Sequence, residues 1–143
     1  MKRFIYAPVA AILLALICST SSMNDTMVGT WILVKGIIVT AEDTTKLPAT
    51  DNAVHMKIIG KTHFTTIWQD PNVENYAGFN GGTYTFEDGI YTENLEFFSV
   101  KGSIGTVARF RVKLEQDMLY MESIAEEGKT PKYRISEKWK RAE

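Results

Sequence analysis

Short runs of β-branched and aromatic residues, broken by turn residues at roughly 8–12-residue intervals, most limit what this chain can fold into. The runs occupy residues 28–40, 54–60, 62–69, 76–79, 83–87, 90–99, 106–115, 118–124 and 133–140. Between Val28 and Trp139 no stretch repeats apolar residues at the i, i+3, i+4, i+7 spacing of an amphipathic helix. Turn chemistry separates the runs at Asp70-Pro71-Asn72, Asn80-Gly81-Gly82, Glu87-Asp88-Gly89, Glu115-Gln116-Asp117 and Glu126-Glu127-Gly128. The Glu87-Asp88-Gly89 turn is tight and predicts a hairpin between the strands on either side. Residues 41–52, polar with one proline, predict a long loop or mobile flap. Eight or nine consecutive strands in about 120 residues must hide their edges. The expected fold is therefore all-β, a single up-and-down antiparallel β-barrel of about 8 strands, with a sandwich as the alternative.

Alternation assigns faces. Ala108, Phe110, Val112 and Leu114 share one side of their run, opposite Arg109, Arg111 and Lys113. Phe64, Thr66 and Trp68 lie together, as do Tyr91, Glu93, Leu95 and Phe97, and Tyr133, Ile135, Glu137, Trp139 and Arg141. The residues placed inside, and so candidates to touch a ligand, are Met56, Phe64, Trp68, Tyr84, Tyr91, Glu93, Phe97, Phe110 and Tyr133. The competing reading is that these side chains simply fill the barrel, since eight strands enclose room for packed side chains or for one small ligand.

Glu93 is the sharpest polar anomaly. A carboxylate between Tyr91 and Leu95 falls in the lumen, where an unpaired charge costs several kcal/mol, so it needs a tyrosine hydroxyl, an arginine or a bound polar group. Glu137 shares the inward parity and is expected to pair with Arg141 or Arg109. His63 starts its strand beside Lys61 at a barrel rim, and His55, on the face of Lys57, is expected to be exposed. The pair Gly81-Gly82 suits a bulge or turn.

Composition excludes several functions. The 16 Lys and Arg against 17 Asp and Glu leave no basic nucleic-acid surface. Two histidines and one cysteine exclude a Cys/His zinc site and an internal disulfide. No Ser/His/Asp set, phosphate-cradling glycine loop or spaced metal-ligand cluster stands out, so no catalytic residue, metal or cofactor is expected.

The first residues read as an export address. Lys2 and Arg3 precede an apolar run from Phe4 to Cys18, followed by Ser19, Thr20, Ser21 and Ser22. The run is shorter than the ~20 residues that cross a bilayer. Residues 1–22 are thus expected to be a signal peptide and 23–143 the mature domain, a monomer with no transmembrane segment. Cleavage after Ser22 gives simple secretion, whereas Cys18 would carry a lipid anchor if processed as a lipoprotein, although Ile17 departs from the small residue usual before such a cysteine. Removing Lys2 and Arg3 leaves 14 basic against 17 acidic residues, a net charge of -3. The expected location is the periplasm or outer surface of a Gram-negative bacterium.

A resemblance joins the two ends of the chain. Gly29-Thr30-Trp31 on the first strand is similar to the Gly-x-Trp signature of lipocalins, and Trp139-Lys140-Arg141 closes the last strand. Thr62-His63-Phe64 with Trp68 and Asp70-Pro71, Gly81-Gly82-Thr83-Tyr84-Thr85, Tyr91-Thr92-Glu93 and Glu137-x-Trp139-Lys140-Arg141 extend it over nearly all of the mature chain. The chain resembles a family of secreted bacterial proteins with a lipocalin-like domain, a calycin-type barrel. That resemblance implies a cup-shaped barrel whose floor is sealed by Arg141 stacking on Trp31, with Trp139 in the same closure. It implies no particular ligand.

Three functions follow as expectations. The first is a non-enzymatic carrier of a small hydrophobic or amphipathic molecule. The second is a barrel enzyme of isomerase or cyclase type, using Glu93 with lumen tyrosines or His63. The third is a plugged barrel acting as an interaction module.

Overall fold

The computed structural model describes residues 23–72, 74, 77–100, 102–125 and 133–142. The expected signal peptide and Cys18 lie outside the described residues. A short helix α1 (Met23–Met27) leads into nine strands, β1 (Gly29–Thr40), β2 (Thr44–Leu47), β3 (Val54–Ile59), β4 (His63–Gln69), β5 (Ala77–Glu87), β6 (Ile90–Phe98), β7 (Val107–Glu115), β8 (Met118–Ser123) and β9 (Tyr133–Arg141). Among the described residues no helix is long and apolar enough to cross a membrane.

Strands β3 to β9 pair in sequence order, all antiparallel, and β9 returns to pair along β1 from Thr40↔Tyr133 to Trp31↔Arg141. The result is a closed eight-stranded barrel plus one extra strand. Closure satisfies the ladder groups that an open sheet would expose. The long β1 divides its other edge, with Gly29–Ile32 against β3 and Gly36–Val39 against β2. The expected flap at 41–52 is therefore corrected. Its centre is strand β2, and Thr50 donates to the buried Asp70 carboxylate, which also accepts the Asn72 amide. Pairing to an otherwise open stretch of β1 gives polar residues a backbone reason to be a strand.

Hairpin chemistry behaves as read. Asp88 and Gly89 both take positive φ (51° and 77°) in a two-residue connection between Glu87 and Ile90, the primed-turn geometry that suits strand twist. Of the bulge or turn expected at Gly81-Gly82 the structure has the bulge, and the turn read at Asn80-Gly81-Gly82 is corrected, because β5 runs straight through it. There Glu96 is an extra residue on β6, between Gly81↔Phe97 and Gly82↔Leu95. A Cβ on Gly82 would collide with the Asn94 carbonyl oxygen, so only glycine permits this approach. The Glu96 carboxylate accepts the Thr83 amide and hydroxyl across the bulge.

The bulge also corrects a face. Tyr91, Glu93 and Leu95 point inward, but the inserted residue flips the parity, so Phe98 turns in and Phe97 turns out, 47% exposed. Met56 is likewise placed on the outer face, between the buried His55 and Lys57. It belongs to an outer apolar row, with register partners Ile32↔Met56, Met56↔Ile67 and Ile67↔Phe79. A second bulge, at Val34 on β1, lets Trp31, Leu33 and Gly36 all be buried.

One end of the barrel is packed solid around Met27, Trp31, Ile59, Phe64, Tyr84, Tyr91 and Leu119. Trp31 is 0% exposed and donates its indole N–H to the Met27 carbonyl at 2.9 Å, tying α1 across the floor. Arg141 lies 4.2 Å from the Trp31 ring, donates to Val28 O at 3.1 Å and also bonds Thr26 O. One guanidinium thus supplies a cation–π contact and satisfies carbonyls of the entering segment. Truncating Trp31 to alanine is expected to cost roughly 3–5 kcal/mol, the range for large aromatic cavities. Arg141→Ala should cost about 1–2 kcal/mol. Urea unfolding of both variants measures this, and an Arg141→Ala protein as stable as the parent would deny the guanidinium any role in closure.

Candidate functional site

The other half of the barrel is hollow. A cavity of about 520 Å³ is lined by residues from every strand except β8, with Leu47 of β2 contributing at its wall and Gly102, Ser103 and Thr106 coming from the β6–β7 connection. Trp68, Phe98, Phe110, Tyr133, Ile38, Ile135 and Leu95 give it apolar and aromatic walls. Trp68 packs edge-on to Phe98 at 6.0 Å and against the His55 ring at 6.5 Å. Burial pushes the His55 pKa below the usual histidine value, favouring the neutral imidazole.

Charge gathers where the cavity meets the packed half. Lys57 and Glu93 are 3% and 5% exposed, and Nζ donates to Glu93 Oε1 at 2.6 Å. The ammonium is also boxed by aromatic rings, 5.5 Å from the centroids of Phe64 and Trp139 and 5.8 Å from those of Tyr91 and Phe110. Alternation on β3 aims Lys57 into the lumen, and alternation on β6 aims Glu93 at it from across the barrel. Neither ion could sit there alone. Together, with four rings facing the cation, the desolvation cost is offset.

Glu137 is the third charged group of this layer. Its Oε2 accepts the Trp139 indole N–H at 3.0 Å. The expected pairing with Arg141 or Arg109 is corrected, since Arg141 is held at the closed end and Arg109 lies exposed on the outer face. Alternation along β9, with Tyr133, Ile135 and Trp139, leaves Glu137 facing the lumen, with no cation within 4 Å among the described residues. Burial, reinforced by the nearby Glu93 charge, raises its pKa above the ordinary carboxyl value, with Lys57 and the Trp139 N–H pulling the other way. Beneath this layer the Tyr91 phenol is pushed far up by burial and by Glu93.

The structure brings together at the cavity Trp68, Glu93, Phe110 and Tyr133 from the sequence-derived candidates, with Trp139 at its base. Phe64, Tyr84 and Tyr91 are inside but belong to the packed end, with the Tyr84 hydroxyl donating to Gly60 O at 2.7 Å. Met56 and Phe97 are outside. His63 is exposed, hydrogen-bonded to its neighbour Thr62 at 2.8 Å, and its strand position is at the closed end, away from Glu93. Sequence reasoning missed Lys57, and it expected His55 to be exposed, because a Lys two residues after a His in a strand reads as a solvated face. The signal that could have found Lys57 was its alternation with Ile59, which the register makes an inward residue.

No protein-family profile matches the sequence, and no curated protein is significantly similar to it.

Two outcomes follow from the charged layer. Lys57→Met strands the Glu93 carboxylate and is expected to cost roughly 3–5 kcal/mol, while the double variant Lys57→Met/Glu93→Leu should recover most of the loss. Chemical unfolding of the parent, both single variants and the double variant decides it, and a double-variant loss equal to the sum of the single losses would show that the two charges are not coupled. Glu137 makes the opposite kind of contribution. Because its folded pKa is raised, its share of stability is complete below the unfolded carboxyl value and is lost as pH rises through the folded one. Glu137→Gln should therefore melt above the parent at neutral pH, with the gap closing below about pH 4. Thermal melts across that range test the sign.

Proposed function

We propose that the barrel is an exported carrier that holds one small hydrophobic or amphipathic molecule in its lumen. The observation that carries this reading is the cavity of about 520 Å³ with aromatic walls and a polar base, within the size range of small-molecule sites. The packed end gives that cavity a rigid floor, and the binding surface is built on strands rather than loops. The hollow half supports a carrier over a plugged interaction module. The enzyme reading has less support, because Glu93 is engaged by Lys57 and His63 stands on the outside. Arg141 stacked on Trp31 and the short helix under the barrel agree with a lipocalin-like relationship. Lys2-Arg3, the apolar run and the small residues ahead of Met23 support export to the periplasm or outer surface.

Titration of the protein with the environment-sensitive dye N-phenyl-1-naphthylamine tests the proposal. Saturable one-to-one binding with a fluorescence increase is expected, weakened by Trp68→Ala, which removes a wall, and blocked by Ala108→Trp, which fills the lumen. Dye uptake that is absent, or unchanged in a folded Ala108→Trp protein, would overturn it.

A further inference from the structure

The carriers of one charge type are unevenly matched at the cavity base. Among the described lining residues Lys57 is the one Lys or Arg, and it faces two carboxyls, Glu93 and Glu137. Its ammonium is already spent, bonded to Glu93 at 2.6 Å and enclosed by four rings at 5.5–5.8 Å. An anionic head group entering the cavity would have to draw Lys57 away from Glu93 or remain unpaired beside two acids. Either course leaves a buried charge without its partner, which is the expensive outcome in low dielectric.

A cationic head group meets the reverse situation. Glu137 has one hydrogen bond, from Trp139, and no ion-pair partner among the described residues. His55, the remaining basic side chain among the described lining residues, is held toward its neutral form by burial. Trp68, Phe110 and Tyr133 of the lining supply aromatic surface for the alkyl or aryl body attached to an ammonium.

We propose that the cavity selects amphipathic molecules bearing a protonated amine, seated with the ammonium on Glu137 and the apolar body between Trp68, Phe110 and Tyr133, and that it rejects carboxylates. This rests on the reading of the barrel as a small-molecule carrier. Without a cation beside it, burial and Glu93 favour the protonated Glu137; a bound ammonium lets it ionise, and the layer then holds two positive and two negative charges.

The test is displacement of bound N-phenyl-1-naphthylamine by dodecylamine, dodecanol and dodecanoate, each below its micelle concentration at neutral pH. The three share a chain and differ in head group. Dodecylamine should bind at least about tenfold more tightly than dodecanoate, with dodecanol between them, the scale of one charge-assisted hydrogen bond. In Glu137→Gln the amine should lose about tenfold or more while dodecanol stays within about twofold. Dodecanoate equal to or tighter than dodecylamine on the unaltered protein, a comparison needing no variant, overturns the amine assignment while leaving the carrier reading intact. Equal losses for amine and alcohol in Glu137→Gln overturn it as well. Failure of the dye itself to bind sinks the carrier reading and this one with it.

Discussion

The ladder between β1 and β9 is the constraint on which the rest of the molecule depends. It joins the first strand to the last, from Trp31↔Arg141 to Thr40↔Tyr133, and turns a sheet with two open edges into a barrel with an inside. Side chains alternate with a period of two, so a slip of one residue in this pairing would send Trp139, Glu137 and Ile135 to the solvent face. Arg141 helps hold the register. Its guanidinium reaches Trp31 and the carbonyls of Val28 and Thr26 together, a set of partners that only one alignment of the two strands offers.

Closure creates a lumen that the side chains fill unevenly. Large residues meet at one end, where Trp31, Phe64, Tyr84 and Tyr91 pack with the α1 methionine Met27. Toward the other end small or polar inward positions, among them Gly36, Thr66, Asn80 and Ala108, alternate with the aromatic walls, and the barrel stays open. The Lys57–Glu93 pair sits at the boundary. A buried ion pair adds little net stability, and a matched apolar pair would often do as well. What the pair does provide is a fixed charge geometry at the base of the cavity, held from β3 and β6 at once.

Glu137 gives that layer its direction. Lys57 balances the Glu93 carboxylate, while burial holds Glu137 toward its protonated form until a further cation comes beside it. Electrostatics of this kind acts on selectivity more than on raw affinity, because the penalty for the wrong head group is the desolvation of a charge that nothing answers. In the carrier proposed above, the aromatic walls would supply the nonspecific part of binding and the acid the choice.

The sequence alone determined the strand content, the tight turn at Asp88-Gly89, the inward face of Glu93 and the meeting of Arg141 with Trp31. The first three follow from short-range rules, period-two alternation and residues that accept positive φ, and the last was implied by the resemblance to lipocalins. Where alternation met an inserted residue it failed, because a period of two does not say which residue is inserted. Gly81-Gly82 marked a bulge or turn, but only the register places the extra residue at Glu96 and sends Phe97 outside. The partner of Glu93, the solitary position of Glu137, the strand at Thr44–Leu47 and the cavity itself were decided by tertiary structure. They depend on residues far apart in the chain that meet only when the sheet closes, as Lys57 and Glu93 do across the lumen. Alternation states which way a side chain points, and only the closed register states what it meets there.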